Sequence, residues 1–271
     1  MTDYLALAQQ IVQDIVNENS NVEAEAIIIE DTETTIRVDG GEVEQLSQSG
    51  SKGLGIRVID GGKVGYSYTS SFDDSAIKQT IQSALELAQI ATPDDNRTLP
   101  ELQEIPDEDL EIFDPEFTSV STEDKIALAK AVEKHTLEAD ERMFHAAANY
   151  GDNVTHVYLA NSKGFANSFS RTTTFSYVFA TARDDDLQDS AQGIGLQVSP
   201  FFNEIDPKKI GEEAAYKGTM TLGGKPVATQ KATVVLDPFV MAQVLGALAF
   251  AMRADSLQRG RSFLIGQKGS E

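Results

Sequence analysis

The 271-residue sequence predicts an α+β fold, with antiparallel sheets flanked by helices. Two observations carry that expectation. In each half of the chain, apolar residues at helical spacing are followed by several short strand-like runs and then by a second helical pattern. The runs are joined by compact turn-formers such as DGGE and DGGK, which suit hairpins between antiparallel neighbours.

Taken in order, Leu5, Ala8, Ile11, Val12, Ile15 and Val16 recur at helical spacing, so residues 3–18 read as an amphipathic helix lying on a sheet. The runs AEAIIIE, TTIRVDG, VEQLSQS, GLGIRVID and KVGYSYTS read as separate short strands. SFDDSAIKQTIQSALELAQIA opens on Ser and Asp capping candidates and keeps Ala76, Ile77, Ile81, Ala84, Leu85 and Ala88 on one face, which predicts a helix. Residues 93–118 then hold four of the eight prolines and eight acids without a base between Glu101 and Glu116, the composition of a long surface connection. Ser121 or Thr122, followed by Glu123 and Asp124, caps the next helix. Strands are expected in MFHAAANYGD, VTHVYLANS, GFANSFSR, TTTFSYVFATARD and SAQGIGLQVS. A helix in DPKKIGEEAAYKGTMTL, a strand in KATVVLD and an oily helix from Phe239 follow. The halves share this order of elements without a residue-level repeat.

The organisation expected is an N-terminal α+β subdomain at 1–92, an acidic proline-rich linker at 93–118, a second α+β subdomain at 119–225, and a further segment at 226–271. The net charge of −21 is concentrated at the front: residues 1–120 hold 25 acids against 6 bases, and the remainder 18 against 16. Such a surface repels a phosphate backbone, so direct nucleic-acid binding is not expected. Without cysteine there is no disulfide framework or thiolate site, which suits a reducing cytoplasm. The N-terminus lacks the basic start of a secretory signal, and the most apolar window, 239–252, apolar except at Gln243 and Gly246, is shorter than the roughly 20 residues a membrane helix needs. No membrane span is expected.

Most motifs fail on inspection. GTMTLGGKP has Thr219 where a phosphate-binding loop requires its first Gly and Pro226 where it requires a hydroxyl. GLGIRV offers Gly53 and Gly55 without a third Gly, in a setting of short antiparallel strands. The carboxylates of RDDDLQDS, Asp184, Asp185, Asp186 and Asp189, lack the Gly and Glu of a calcium loop and read as a hairpin tip. His135, His145 and His156 are too far apart in sequence to form a local metal pair. Spacing alone yields no catalytic constellation.

Three stretches in order carry a resemblance: SKGLGIRVIDGGKVGYSYTSSFD, VYLANSKGFANSFSRTTTFSYVFATARD and GGKPVATQKATVVLDPFVMAQVLGALAFAM. Together they resemble the TldD/PmbA family, also called modulators of DNA gyrase, in its PmbA or TldE branch. The resemblance implies a two-part N-terminal architecture, with 226–271 as the start of a truncated C-terminal domain. It further implies a cytoplasmic, metal-dependent peptidase system of two related subunits acting on peptides or unfolded proteins. In the TldD branch an H-E-x-x-x-H helix supplies zinc ligands and the general base. Alignment on Asp255 and Gly260 puts those positions at Leu245, Gly246 and Phe250, none of which binds zinc or moves a proton.

The i, i+5 spacing turns the two outer side chains about 140° apart on a regular helix, so a metal-binding relative needs a local bulge that this helix does not. The expectation is therefore a metal-free subunit with a buried, regular helix, no catalytic or metal residue of its own, and zinc in a TldD-like partner. Such a chain would pair with that partner or form a homo-oligomer, and would act on a peptide substrate. Arg253, Arg259 and Arg261 are candidate contacts to partner or peptide. The alternative is a non-enzymatic binding or assembly module left after loss of the C-terminal domain.

Overall fold

The computed structural model describes residues 2–105, 108–184, 186 and 188–270. Two compact units result, Met1–Gly224 and Lys225–Glu271. The first contains α1 (Tyr4–Glu18), β1 (Val22–Asp39), β2 (Glu42–Asp60), β3 (Lys63–Thr69), α2 (Asp74–Ile90), α3 (Thr122–Glu138), β4 (Met143–Asn161), β5 (Ala166–Asp184), β6 (Asp189–Ser199) and α4 (Pro207–Thr219). The second contains α5 (Pro238–Met252) and the short α6 (Ala254–Gln258). Asp185 of the acidic hairpin tip lies outside the described residues, as do Pro106 and Asp107 of the acidic stretch.

The fold is α+β, and its strands form one antiparallel sheet of six, ordered β3-β2-β1-β4-β5-β6. The central pairing joins the two halves of the chain, from Glu25 opposite Asn161 to Asp39 opposite Ala147. Helix starts follow the sequence signals. Asp3 accepts from the Ala6 amide, Ser121 and Asp124 close a reciprocal capping box, and Asp206 accepts from the Lys208 and Lys209 amides ahead of Pro207.

The strands are longer than expected. AEAIIIE and TTIRVDG are one 18-residue strand, while β2, β4 and β5 each run 19 residues through what read as breaks. The reason lies in how the helices sit. On β1, Ala24, Ala26 and Ile28 enter a core beneath α1 and α2, whereas Ile36 and Val38, on the same face, enter a second core beneath α3 and α4. The polar middle of each strand spans the gap between the cores and stays paired. A loss of apolar alternation there marks a change of core, not a turn.

Each fully buried Ile, Leu or Val in these cores is worth about 1.5–3 kcal/mol relative to exposure. The gap between the cores is filled by polar contacts. Lys125, on the apolar stripe of α3, reaches Asp152 of β4 at 2.7 Å and Thr34 of β1 at 3.4 Å. The Tyr150 hydroxyl donates to the same Asp152 carboxylate at 2.8 Å. Burial, reinforced by that carboxylate, pushes the Tyr150 phenol far above its ordinary range.

The acidic stretch 93–118 has almost no regular structure among its described residues, but it is pinned. The Asp94 amide donates to the Gly62 carbonyl, the Leu99 amide and Thr98 hydroxyl donate to Glu23, and Lys163 bridges Glu23 and Glu101 at 3.1 and 3.2 Å. Leu99 is buried. At the far end Asp114 is buried and bonded to Thr172 and Phe202, and the Phe117 ring lies 4.7 Å from the Lys125 ammonium. This strap therefore ties the β1–β3 half of the sheet to the β4–β6 half.

In the second unit the expected strand KATVVLD is absent, and residues 225–237 carry no regular structure. A strand needs a neighbour to satisfy its backbone groups, and none pairs with it among the described residues. The expected burial of the oily helix also fails. On α5, Leu245 is 51% exposed and Phe250 61%, and only Ala251 is buried.

Candidate functional site

All four helices described in the first unit pack on one face of the sheet, and the opposite face carries none of them. Side chains alternate along each strand, so the odd residues of β1 and β5 and the even residues of β3 and β6 point to this open side. Apolar and aromatic groups occupy both ends of it. At one end Gly53 and Gly55 remove side chains from β2, leaving a groove of about 360 Å³ between Ile27 and Ile29 on one wall and Tyr66 and Tyr68 on the other. At the other end Phe175 stacks on Tyr177 at 6.3 Å, and Tyr177 meets Phe179 edge to face at 5.5 Å. Gly151 makes room for that row, since any side chain there would collide with the Phe175 ring.

Between the two ends the open face is polar. The Asp31 carboxylate accepts from Asn153 and from Thr155, each at 2.7 Å. At the outer ends of the same face Arg57 pairs with Glu25 at 2.8 Å beyond Ile27, and Arg37, in the same register row as Tyr177, pairs with Glu44. The surface combines aromatic contact at its ends with fixed hydrogen-bonding groups at its centre, which is chemistry for binding an extended chain or a protein face.

The residues singled out in the sequence lie in the second unit. The helix α5 is regular from Pro238 to Met252, so Leu245 and Phe250 point in directions about 140° apart. Gly246 has nothing near the position its side chain would take. These three positions contain no donor atom for a metal, and their donor set does not fit zinc. Arg253 lies 5.5 Å over the Phe250 ring and pairs with Asp255 at 3.1 Å. Arg259 and Arg261 are exposed beyond α6. All three arginines thus sit on one short stretch after α5.

Among the described residues, no group of three His, Cys, Asp or Glu side chains is arranged to hold a metal ion. The histidines are separate: His145 contacts Asp39 at 3.1 Å, His156 bonds Ser170 at 2.7 Å, and His135 lies in the last turn of α3. The sequence reading missed the Lys125–Asp152 pair. Its signal was present, because Lys125 occupies the same helical stripe as the buried Leu128, Ala129 and Val132.

Comparison with known proteins adds to this geometry. Three family models match in chain order: PmbA/TldA metallopeptidase domain 1 at residues 24–88, its central domain at 115–222, and its C-terminal domain at 229–271. Metalloprotease PmbA of Escherichia coli O157:H7 is 27% identical over 257 residues, which is 92% of this chain and 55% of that protein. The Metalloprotease PmbA homolog of Haemophilus influenzae is 26% identical, across 85% of this chain and 51% of its own length. The chain spans about half the length of these curated relatives.

Among solved structures, a candidate modulator of DNA gyrase from Bacteroides thetaiotaomicron superposes with a TM-score of 0.86 at 25% identity, over 98% of this chain and 61% of that one. A candidate modulator of a DNA gyrase from Thermotoga maritima gives 0.84 at 20% identity, over 95% and 58%. TldE from Thermococcus kodakarensis gives 0.64 at 16% identity, over 79% and 46%, and with the Thermotoga protein supports the fold alone.

Proposed function

The chain belongs to the PmbA/TldD family, and from that membership we propose that it is a PmbA/TldE-like, non-catalytic subunit of a metal-dependent peptidase system. One observation carries this reading: the three positions at which the family resemblance puts H-E-x-x-x-H are Leu245, Gly246 and Phe250 on a regular helix. Zinc requires nitrogen, oxygen or thiolate donors, and activating water requires a base. Hydrocarbon and hydrogen offer neither. No hydrolytic step is therefore assigned to this chain, and zinc and its general base belong to a TldD-like partner.

On this reading the subunit holds its partner and presents peptide to it. The open sheet face supports such a role, since an unfolded segment is held through aromatic contact and fixed polar groups along its length. Arg253, Arg259 and Arg261 are the proposed contacts to the partner or to an acidic part of the peptide. A cytoplasmic site of action agrees with the absence of cysteine, and no helix among the described residues is long and apolar enough to cross a membrane.

Co-expression with a homologue that carries H-E-x-x-x-H tests the proposal. The pair is expected to co-purify and to cleave an unstructured peptide in a chelator-sensitive way, whereas this chain alone cleaves nothing. Failure to associate would favour a free-standing binding module. Stoichiometric zinc in the purified chain, or cleavage by it alone, would overturn the proposal outright.

A further inference from the structure

Three glycines stand on the open face of the sheet, Gly53 and Gly55 of β2 and Gly151 of β4. A glycine inside a strand leaves a hollow between its neighbours' side chains, and such a hollow marks a place where another group approaches closely. Two of the three are closed by an aromatic ring of the chain itself. The Phe175 ring lies over Gly151, 2.2 Å from where a Cβ would stand, and Tyr66 of β3 leans over Gly55, its hydroxyl oxygen 3.0 Å from the corresponding point. At Gly53 no ring takes that place. The nearest atom to an added Cβ there is the Thr69 carbonyl oxygen, at an ordinary 3.7 Å.

The Gly53 hollow belongs to the groove of about 360 Å³. Ile29, directly opposite Gly53 on β1, is 38% exposed, and Tyr68 of β3 is 77% exposed. Both have apolar surface still to bury. The basic groups beside the groove are already engaged: Lys52 turns to the helix side and bonds the Tyr4 hydroxyl at 3.1 Å, and Arg57 pairs with Glu25 at 2.8 Å. No acid is among the described residues that line it. An ionic group entering here would lose water without gaining a partner, whereas a neutral ring would bury apolar area and meet Tyr68 at an edge or a face.

We infer that the hollow at Gly53 is a subsite for one aromatic side chain of an extended peptide, an inference that rests on the peptide-holding role proposed above. The chain's own rings show the fit: what Phe175 does for Gly151, the incoming ring does for Gly53. Gly53 is then the residue that sets specificity, because a larger side chain there would fill the subsite from within.

The variant G53F supplies that ring permanently. N-acetyl-phenylalaninamide is titrated into the chain labelled at its isoleucine methyl groups, with N-acetyl-serinamide as the control. Saturable shifts at Ile27 and Ile29 are expected with the first amide, none with the second, and none in G53F. A short Gly/Ser/Asn peptide with one central Phe should then bind at least tenfold more tightly than the same peptide with Ser in its place, and G53F should erase the difference. If G53F does not fold, the smaller G53V, which also occupies the hollow, decides. Absence of shifts at both isoleucines overturns the inference. So does a peptide that binds equally well with Phe or Ser at its centre, an outcome under which the open face still holds peptide. Shifts from the amide without binding of either peptide would keep the aromatic subsite and overturn the peptide-holding role instead.

Discussion

At the scale of single residues, the most informative positions are glycines whose missing side chains let a helix lie directly on a strand. A Cβ added to Gly65 of β3 would stand 1.8 Å from the Ala84 carbonyl of α2, and one added to Gly193 of β6 would stand 2.0 Å from the Ala214 carbonyl of α4. Backbone atoms cannot rotate away, so G65A and G193A should each destabilise the first unit by about 3 kcal/mol, at the upper end of overpacking costs. Urea denaturation measures this, and a loss under about 1 kcal/mol would mean that the helices shift freely. Gly246 is the opposite case. Nothing lies within 4 Å of its added Cβ, and G246A should stabilise α5 by about 1 kcal/mol through helix propensity, seen as slower exchange of its amides. Period and composition identify all three as glycines inside regular elements, but only the tertiary contact tells the two behaviours apart. The same holds for Lys125: its place on an apolar stripe was legible, whereas Asp152 as its partner needed the register of β4 against β1.

At the scale of elements, helices were legible to within about three residues because caps and apolar spacing agree. Strand ends were not, because two cores under one strand look in sequence like two strands. The strap was the least legible element. Its composition describes a free linker, yet its anchoring comes from partners far away in sequence, above all Glu23 and Lys163. Burial raises the Glu23 pKa, but the Leu99 amide, Lys163 and Thr98 outweigh it, so the folded value lies below the usual one. A group with a depressed folded pKa contributes stability above its unfolded value, about 4.3 for Glu, and loses that contribution as pH falls through the folded value. The strap should therefore loosen at its first anchor as the pH drops below about 4. Protection of the Leu99 amide, corrected for intrinsic exchange, should fall across that window in the native protein and stay flat in E23Q. Equal pH dependence in both would remove Glu23 from the anchor.

At the scale of the whole molecule, the two halves of the first unit repeat one arrangement: a helix, two long strands, a short edge strand, and a helix packed on that edge strand through a glycine. The order of elements was visible in the sequence. What the order does not show is that the halves share a single sheet, joined where β1 meets β4 along fifteen residue pairs from Glu25–Asn161 to Asp39–Ala147. Each core also borrows from the other half: Ala160 of β4 lies in the core of the first, and Ile36 and Val38 of β1 lie in the core of the second. Separated, each half would expose one full edge of unpaired backbone and an incomplete core, and both losses exceed what a marginally stable domain tolerates. Fragments 1–118 and 119–224 should accordingly be unfolded or aggregated alone and should assemble one to one when refolded together, recovering the circular dichroism of the intact unit. Two fragments that each melted cooperatively by themselves would show that the β1–β4 seam is a contact between finished domains. The predicted mutual dependence instead makes that seam the structural centre of the protein, with the strap as its second tie.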